Sequence, residues 1–211
     1  MKLVFFIPLS IALLLATNLF GQSRITVEAT NYDISYNLDL EAVATLFGEV
    51  NNLEEFENRL NDPQNQISNL DLNNDGYIDY LRVIETRDNK VNVVVLQAVL
   101  DMDVYQDVAT VVVEKQRWNK VSVQIIGSPY LYGVNYIVEP AYAWTPPIYQ
   151  VFRSRNYVVW RSPYYWGYYP TYYYYRQPAP VYIYVRNVYR SVNHQHNYRY
   201  ATVVHSSRGV T

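Results

Sequence analysis

The run DLNNDGYID, Asp71 to Asp79, sets oxygen-bearing side chains at alternating positions: Asp71, Asn73 and Asp75, then Asp79. Tyr77 adds a backbone carbonyl. Gly76 allows the sharp turn that carries a chain past an ion. Ca²⁺ takes roughly 6–8 oxygen ligands, and a loop of this composition can wrap one ion. Asn, Asp and Gly also dominate ordinary turns for local hydrogen-bonding reasons. Three carboxylates in nine residues nevertheless repel one another unless a cation or solvent separates them. The expectation is a structural calcium held by Asp71, Asn73, Asp75, Tyr77 and Asp79.

The loop resembles calcium loops of the EF-hand and dockerin type, D-x-[DN]-x-[DN]-G-x5-E. The resemblance covers nine residues and then breaks, because Arg82 stands where the bidentate Glu of those loops belongs. The next residues, YIDYLRVIE, alternate like a strand and not like the helix of an EF-hand. The shorter pattern D-x-[DN]-x-D-G-x-x-D followed by a strand is similar to the calcium loops between blade strands of integrin-type propellers. There a carboxylate at the position of Asp79 closes the site.

No catalytic residue is identified. The chain has no nucleophile elbow, phosphate-binding glycine loop or HExxH motif. The pairs Asp101/Asp103 and Glu54/Glu55 lack the context that would single out a general acid. His194 and His196 form an H-x-H pair near His205, but in a polar stretch that favours solvent over metal. With no cysteine, disulfides, thiol chemistry, Cys-based zinc sites and a lipobox anchor are all excluded.

Residues 1–21 read as a secretory signal, with Lys2 as the positive region and Val4 to Ala16 as the apolar region. Cleavage near Gly21 would leave Gln22 first, and no transmembrane span is expected after removal. The expected location is the periplasm or outer surface. Net charge is −2, but it is unevenly distributed: residues 22–127 carry −10, and residues 128–211 carry +7, all of it from Arg. Opposite charges of this size predict either that the halves dock, Arg and Tyr rings facing the acidic part, or that the basic part meets an acidic partner.

The elements that must position the loop can be read around it. Asp39 is placed to cap a helix from Leu40 to Gly48, and Asn52 a second one with Leu53, Phe56 and Leu60 on one face. Asp62-Pro63 stops it. The runs Tyr77–Arg87, Lys90–Leu100, Ala109–Gln116 and Val121–Gly127 read as strands, with Asp88-Asn89 and Trp118-Asn119 as turns. The fold class is therefore α+β: an antiparallel meander of about four strands with two short helices on one face, followed by an irregular aromatic-rich extension. The expected divisions are signal 1–21, extended segment 22–38, α+β domain 39–127, Tyr/Pro/Arg-rich extension 128–190 and a polar, frayed tail 191–211. Within the extension, Pro146-Pro147 could begin a short helix, and alternating Val181, Ile183 and Val185 read as one more strand.

From Pro129 to Tyr200 lie 19 of the 24 tyrosines and three of the four tryptophans. Such rings suit partly wet interfaces. One reading is structural, with the rings packed on the sheet and on each other. Another is a platform for glycan rings, with Trp160, Tyr164, Tyr165, Trp166, Tyr168 and Tyr169 stacking and Arg161 and Arg176 taking anionic groups. A third is single-stranded nucleic acid, disfavoured because it needs an extracellular polymer. A fourth is anchoring at a membrane surface.

The signal peptide, LDLEAVATLFGE, NLEEFENRLNDP, ISNLDLNNDGYIDYLRVIE and the Tyr/Pro/Trp-rich C-terminal part together resemble a family of functionally uncharacterised secreted envelope proteins of Bacteroidota. The resemblance implies an envelope location in a Gram-negative bacterium and carries no activity, substrate or catalytic residue. The leading expectation is a secreted, non-enzymatic structural or interaction protein whose partner is an envelope protein or polysaccharide. The alternative is a glycan-binding module.

Overall fold

The computed structural model describes residues 36–154 and 156–205; the expected signal, most of the extended segment and the end of the tail lie outside them. Two helices come first, α1 (Leu40–Glu49) and α2 (Leu53–Leu60). Their starts follow from their caps. The Asp39 carboxylate accepts from the N–H groups of Glu41 and Ala42, and the Asn52 side chain accepts from Glu55 N–H. Helix α1 is buried nearly all round, including Leu40, Val43, Ala44, Leu46 and Phe47. Gly48 lets it approach another segment closely, because a Cβ there would run into the Tyr142 ring.

Strands β1 (Tyr80–Asp88), β2 (Val91–Asp101), β3 (Val104–Lys115) and β4 (Val121–Gly127) form the expected antiparallel meander. The sheet does not stop there. After a short helix α3 (Pro129–Tyr132), strand β5 (Ile137–Ala141) pairs with β4, and β6 (Asn197–Ala201) pairs with β5. The sheet therefore has six strands in sequence order, not four. The alternation of Leu81/Val83, Val94/Leu96/Ala98, Val111/Val113 and Val123/Ile125 places a buried apolar set on the helix side. Val93 and Val95 lie in a strand as expected, but on the opposite, partly exposed face.

The rest of the extension corrects two further expectations. Val181, Ile183 and Val185 belong to a helix, α5 (Val181–Ser191), not a strand. Its buried residues, Tyr184 and Val188, are four apart, so a helical period overrides the β preference of the branched side chains. The stretch after Ser191 was expected to fray, yet it supplies β6. A short helix α4 (Tyr149–Arg153) does follow Pro146-Pro147, and Tyr149 and Phe152 are buried. The core gathers Phe47 and Phe56 together with Leu131, Val138, Ile148, Phe152, Tyr184 and Val192. Neither sheet nor core divides after Gly127. Among the described residues no helix is long and apolar enough to cross a membrane.

Candidate functional site

The loop 71–79 leads from α2 into β1 and is closed by its own backbone. Asp71 accepts from the N–H groups of Asp75 at 3.1 Å and Gly76 at 3.0 Å. Asn73 Oδ1 also accepts from Asp75 N–H, and Asp75 accepts from Tyr77 N–H at 2.8 Å. Asn74 and Gly76 take left-handed backbone conformations, which makes the turn this tight. Asp79 is buried and accepts from Leu72 N–H at 2.7 Å. Burial, and then the charges of Asp71 and Asp75, push the Asp79 carboxyl up to about 8. Asp71 is raised by burial and by Asp75. The three carboxylates thus sense one another, and a cation among them would oppose both shifts. The oxygen types present, carboxylate, amide and backbone carbonyl, are those a hard ion takes. Arg82 points away, stacking over the Tyr105 ring at 3.3 Å and donating to Gln97.

The aromatic segment grips the exit of this loop. Ile78 N–H donates to the Arg176 carbonyl at 2.9 Å, and the Tyr173 hydroxyl donates to the Ile78 carbonyl at 2.9 Å. Tyr77 meets Tyr175 edge-on, with centroids 5.7 Å apart. The Arg176 guanidinium donates to the Ser68 carbonyl. Just ahead of the loop, the Asn69 amide makes two hydrogen bonds with the backbone of Ala179.

Two buried carboxylates outside the loop hold the segment 157–162. Glu57, on α2, accepts from the hydroxyls of Tyr80 at 2.8 Å and Ser162 at 2.6 Å, from Val83 N–H at 2.9 Å and from the Trp160 indole at 3.3 Å. Glu85, on β1, accepts from Asn92, from the Tyr157 hydroxyl and from Trp160 N–H. Both carboxylates are fully buried. Burial raises the pKa of Glu57 against the lowering effect of its four donors. Composition alone did not mark these two residues: Glu57 sits in an acidic run that reads as a solvated face, and Glu85 in an ordinary strand. The only signal was Glu85 on the apolar phase of its strand, beside Leu81 and Val83.

The segment also covers an open sheet edge. Glu85 N–H donates to the Trp160 carbonyl and Ser162 N–H to the Val83 carbonyl, bracketing a bridge between Ile84 and Arg161. Without this cover, β1 would present unpaired backbone groups to other chains.

The residues expected to form a glycan platform do not share one plane. Tyr164, Tyr169 and Tyr173 surround Tyr80, which is 1% exposed, at centroid distances of 5.1–5.7 Å with tilted or edge-on rings. Trp160 is half-buried on Glu57, Trp166 is half-buried, and Arg161 is exposed. Tyr165 and Tyr168 face each other across the turn at Trp166-Gly167 and remain about half exposed. The histidines do not converge. His194 is exposed against Tyr189, His205 pairs with Glu139, and His196 is buried against Trp144. Among the described residues no group of three or more His, Asp or Glu side chains forms a ready metal cluster.

Among the described residues, Arg59 pairs with Glu49 within the acidic part and Arg199 with Glu139 within the basic part, with His205 Nε2 3.2 Å from Glu139. Contact between the halves uses Tyr, Trp, Ser and Asn groups and backbone, together with Arg87, Lys115 and Arg176 donating to carbonyls across the division. In comparisons with known proteins, the chain matches no protein-family model, no curated protein and no solved structure.

Proposed function

We propose that this chain is a secreted, non-enzymatic structural or interaction protein of a Gram-negative envelope, with a structural calcium bound by Asp71, Asn73, Asp75, Asp79 and the Tyr77 carbonyl. The observation that supports it best is the clasp on Ile78, whose N–H and carbonyl are both taken by the aromatic segment. The loop and the segment are therefore one mechanical unit, and an ion in the loop would brace the whole wrap. Polar groups of the segment 157–162 (Tyr157, Trp160 and Ser162) point inward, to Glu57 and Glu85, which is what a structural element requires. A protein without disulfides gains stability from any ion that binds only its folded state. The test is calorimetric titration with calcium at millimolar concentration, the range of extracellular calcium modules. Heat of binding that disappears in Asp75→Ala supports the proposal. Absence of binding in the unaltered chain would refute the metal.

A second reading, a glycan-binding module, rests on one observation. Tyr165 and Tyr168 lie 5.3 Å apart with ring planes at 31°, both about half exposed at the tip of a turn. Loss of polysaccharide retention in Tyr165→Ala with Tyr168→Ala, at unchanged melting temperature, would select this reading.

A further inference from the structure

Trp118 stands at the tip of the turn between β3 and β4 and is 91% exposed. Its backbone is left-handed, with φ 61° and ψ 34°. Among the described residues six non-glycine positions have positive φ; the other five are Gln66, Asn74, Asn89, Asp103 and Asn135. Asn and Asp tolerate this conformation through their short polar side chains, whereas a bulky ring gains nothing locally from it. An indole that strains the backbone and packs on nothing points to a role outside the fold.

The surroundings of Trp118 are basic. Apart from Lys2, the chain's lysines are Lys90, Lys115 and Lys120, and all three lie at this end of the sheet. The turns β1–β2 and β3–β4 are side by side here, joined by a hydrogen bond from Lys115 N–H to the Lys90 carbonyl. Arg87 and Lys115 both donate to the Phe152 carbonyl at the end of α4, and Arg153 follows it. The Lys115 ammonium is held below its ordinary range by burial and by the charges of Arg87 and Arg153. Lys90, Arg117 and Lys120 are exposed and have no side-chain partner among the described residues. Lys90, Arg117 and Lys120 thus sit on the turn that carries the indole and on its neighbour, beside the strand-end acids Asp88 and Glu114.

We propose that this end of the sheet, with Trp118 at its tip and Lys90, Arg117 and Lys120 around it, docks onto a surface of anionic lipid headgroups. An indole settles at the level of headgroups, where its apolar body and N–H are both accommodated. Flanking cations meet the phosphates, and each contributes about five-fold to partition onto an anionic surface. Lys90 lies on one turn tip and Arg117 and Lys120 on the other, next to the projecting ring, so one approach to a charged layer engages all of them.

The test uses the chain from Gln22 onward, without calcium, so that its result is independent of the metal reading. Co-sedimentation is measured with vesicles of phosphatidylcholine containing phosphatidylglycerol and with vesicles of phosphatidylcholine alone. Binding should require the anionic lipid, weaken with salt, and shift tryptophan emission to the blue. Lys90→Ala with Lys120→Ala should weaken it by about 25-fold. Trp118→Asn should abolish the blue shift while leaving the melting temperature equal or higher, since Asn suits the left-handed position. A fall in melting temperature in Trp118→Asn would mean the indole serves the fold, and would overturn the proposal. So would equal binding to both vesicles, indifference to the lysine substitutions, or retention by polygalacturonate with no retention by either vesicle.

Discussion

The Ser162 hydroxyl donates to the Glu57 carboxylate at 2.6 Å across 105 positions of the chain. That bond lies inside a buried group of four donors on one carboxylate, and it joins the acidic and aromatic halves. Removing the acceptor strands all four donors away from water. Glu57→Ala should therefore destabilise the fold by about 3 kcal/mol or more, measured by chemical denaturation. Tyr80→Phe removes one donor and leaves Glu57 three others, so its cost should be about 1 kcal/mol. Near-equal costs for the two would show that Glu57 is not the hub.

Docking through buried hydrogen bonds has a salt signature. Exposed charge pairs are screened beyond about 8–10 Å at ordinary salt, but buried hydrogen bonds are not. Protease cleavage around Pro129–Pro147 should proceed equally at low and high salt. A truncation ending at Gly127 should lose its cooperative unfolding transition and bind ANS, because β4 loses its partner strand and Phe47 loses the stacked Phe152 ring. Salt-dependent cleavage, or a sharp transition in the truncation, would restore a charge-held, separable extension.

Calcium should act on the wrap as well as on the loop. With calcium 100-fold above its dissociation constant the folded state gains about 2.7 kcal/mol. Because Ile78 is held by Tyr173 and Arg176, proteolysis between Tyr169 and Ala179 should slow on calcium addition, and Asp75→Ala should remove the effect. Protection confined to residues 71–79 would show that the two segments are uncoupled.

His196 adds a pH dependence. Its Nδ1 accepts Ala143 N–H at 3.2 Å, which requires the neutral ring. Burial lowers its pKa, with Glu49 opposing. The unfolded state therefore binds the proton more readily. Its contribution to stability is complete above the unfolded value, near 6.5, and is lost as pH falls through the lower folded value. Asp79, raised to about 8, acts in the opposite sense, so the His196 contribution is read as a difference: below about 6.5 the melting temperature of the unaltered chain should fall relative to that of His196→Phe. An unchanged difference would assign the dependence to other groups.

Local physics made much of this protein legible in its sequence. Asp39 and Asn52 announce their helices because a cap acts within three residues. Alternation announces β1 to β4, since successive side chains fall on opposite faces, and Gly76 with its neighbouring acids announces the loop. What escaped was non-local. Val181–Ser191 carries branched residues in alternation, and only the pocket receiving Tyr184 and Val188 decides for a helix. Asn197–Ala201 is polar, and it becomes a strand because β5 offers an edge to pair with. Glu57 reads as one more surface acid until Tyr80, Trp160 and Ser162 surround it. The sequence by itself determined the caps, the first four strands and the loop, because those depend on neighbours along the chain. Tertiary structure alone decided the last two strands, the burial of Glu57 and Glu85 and the clasp on Ile78, because each depends on a partner that only the fold brings within reach.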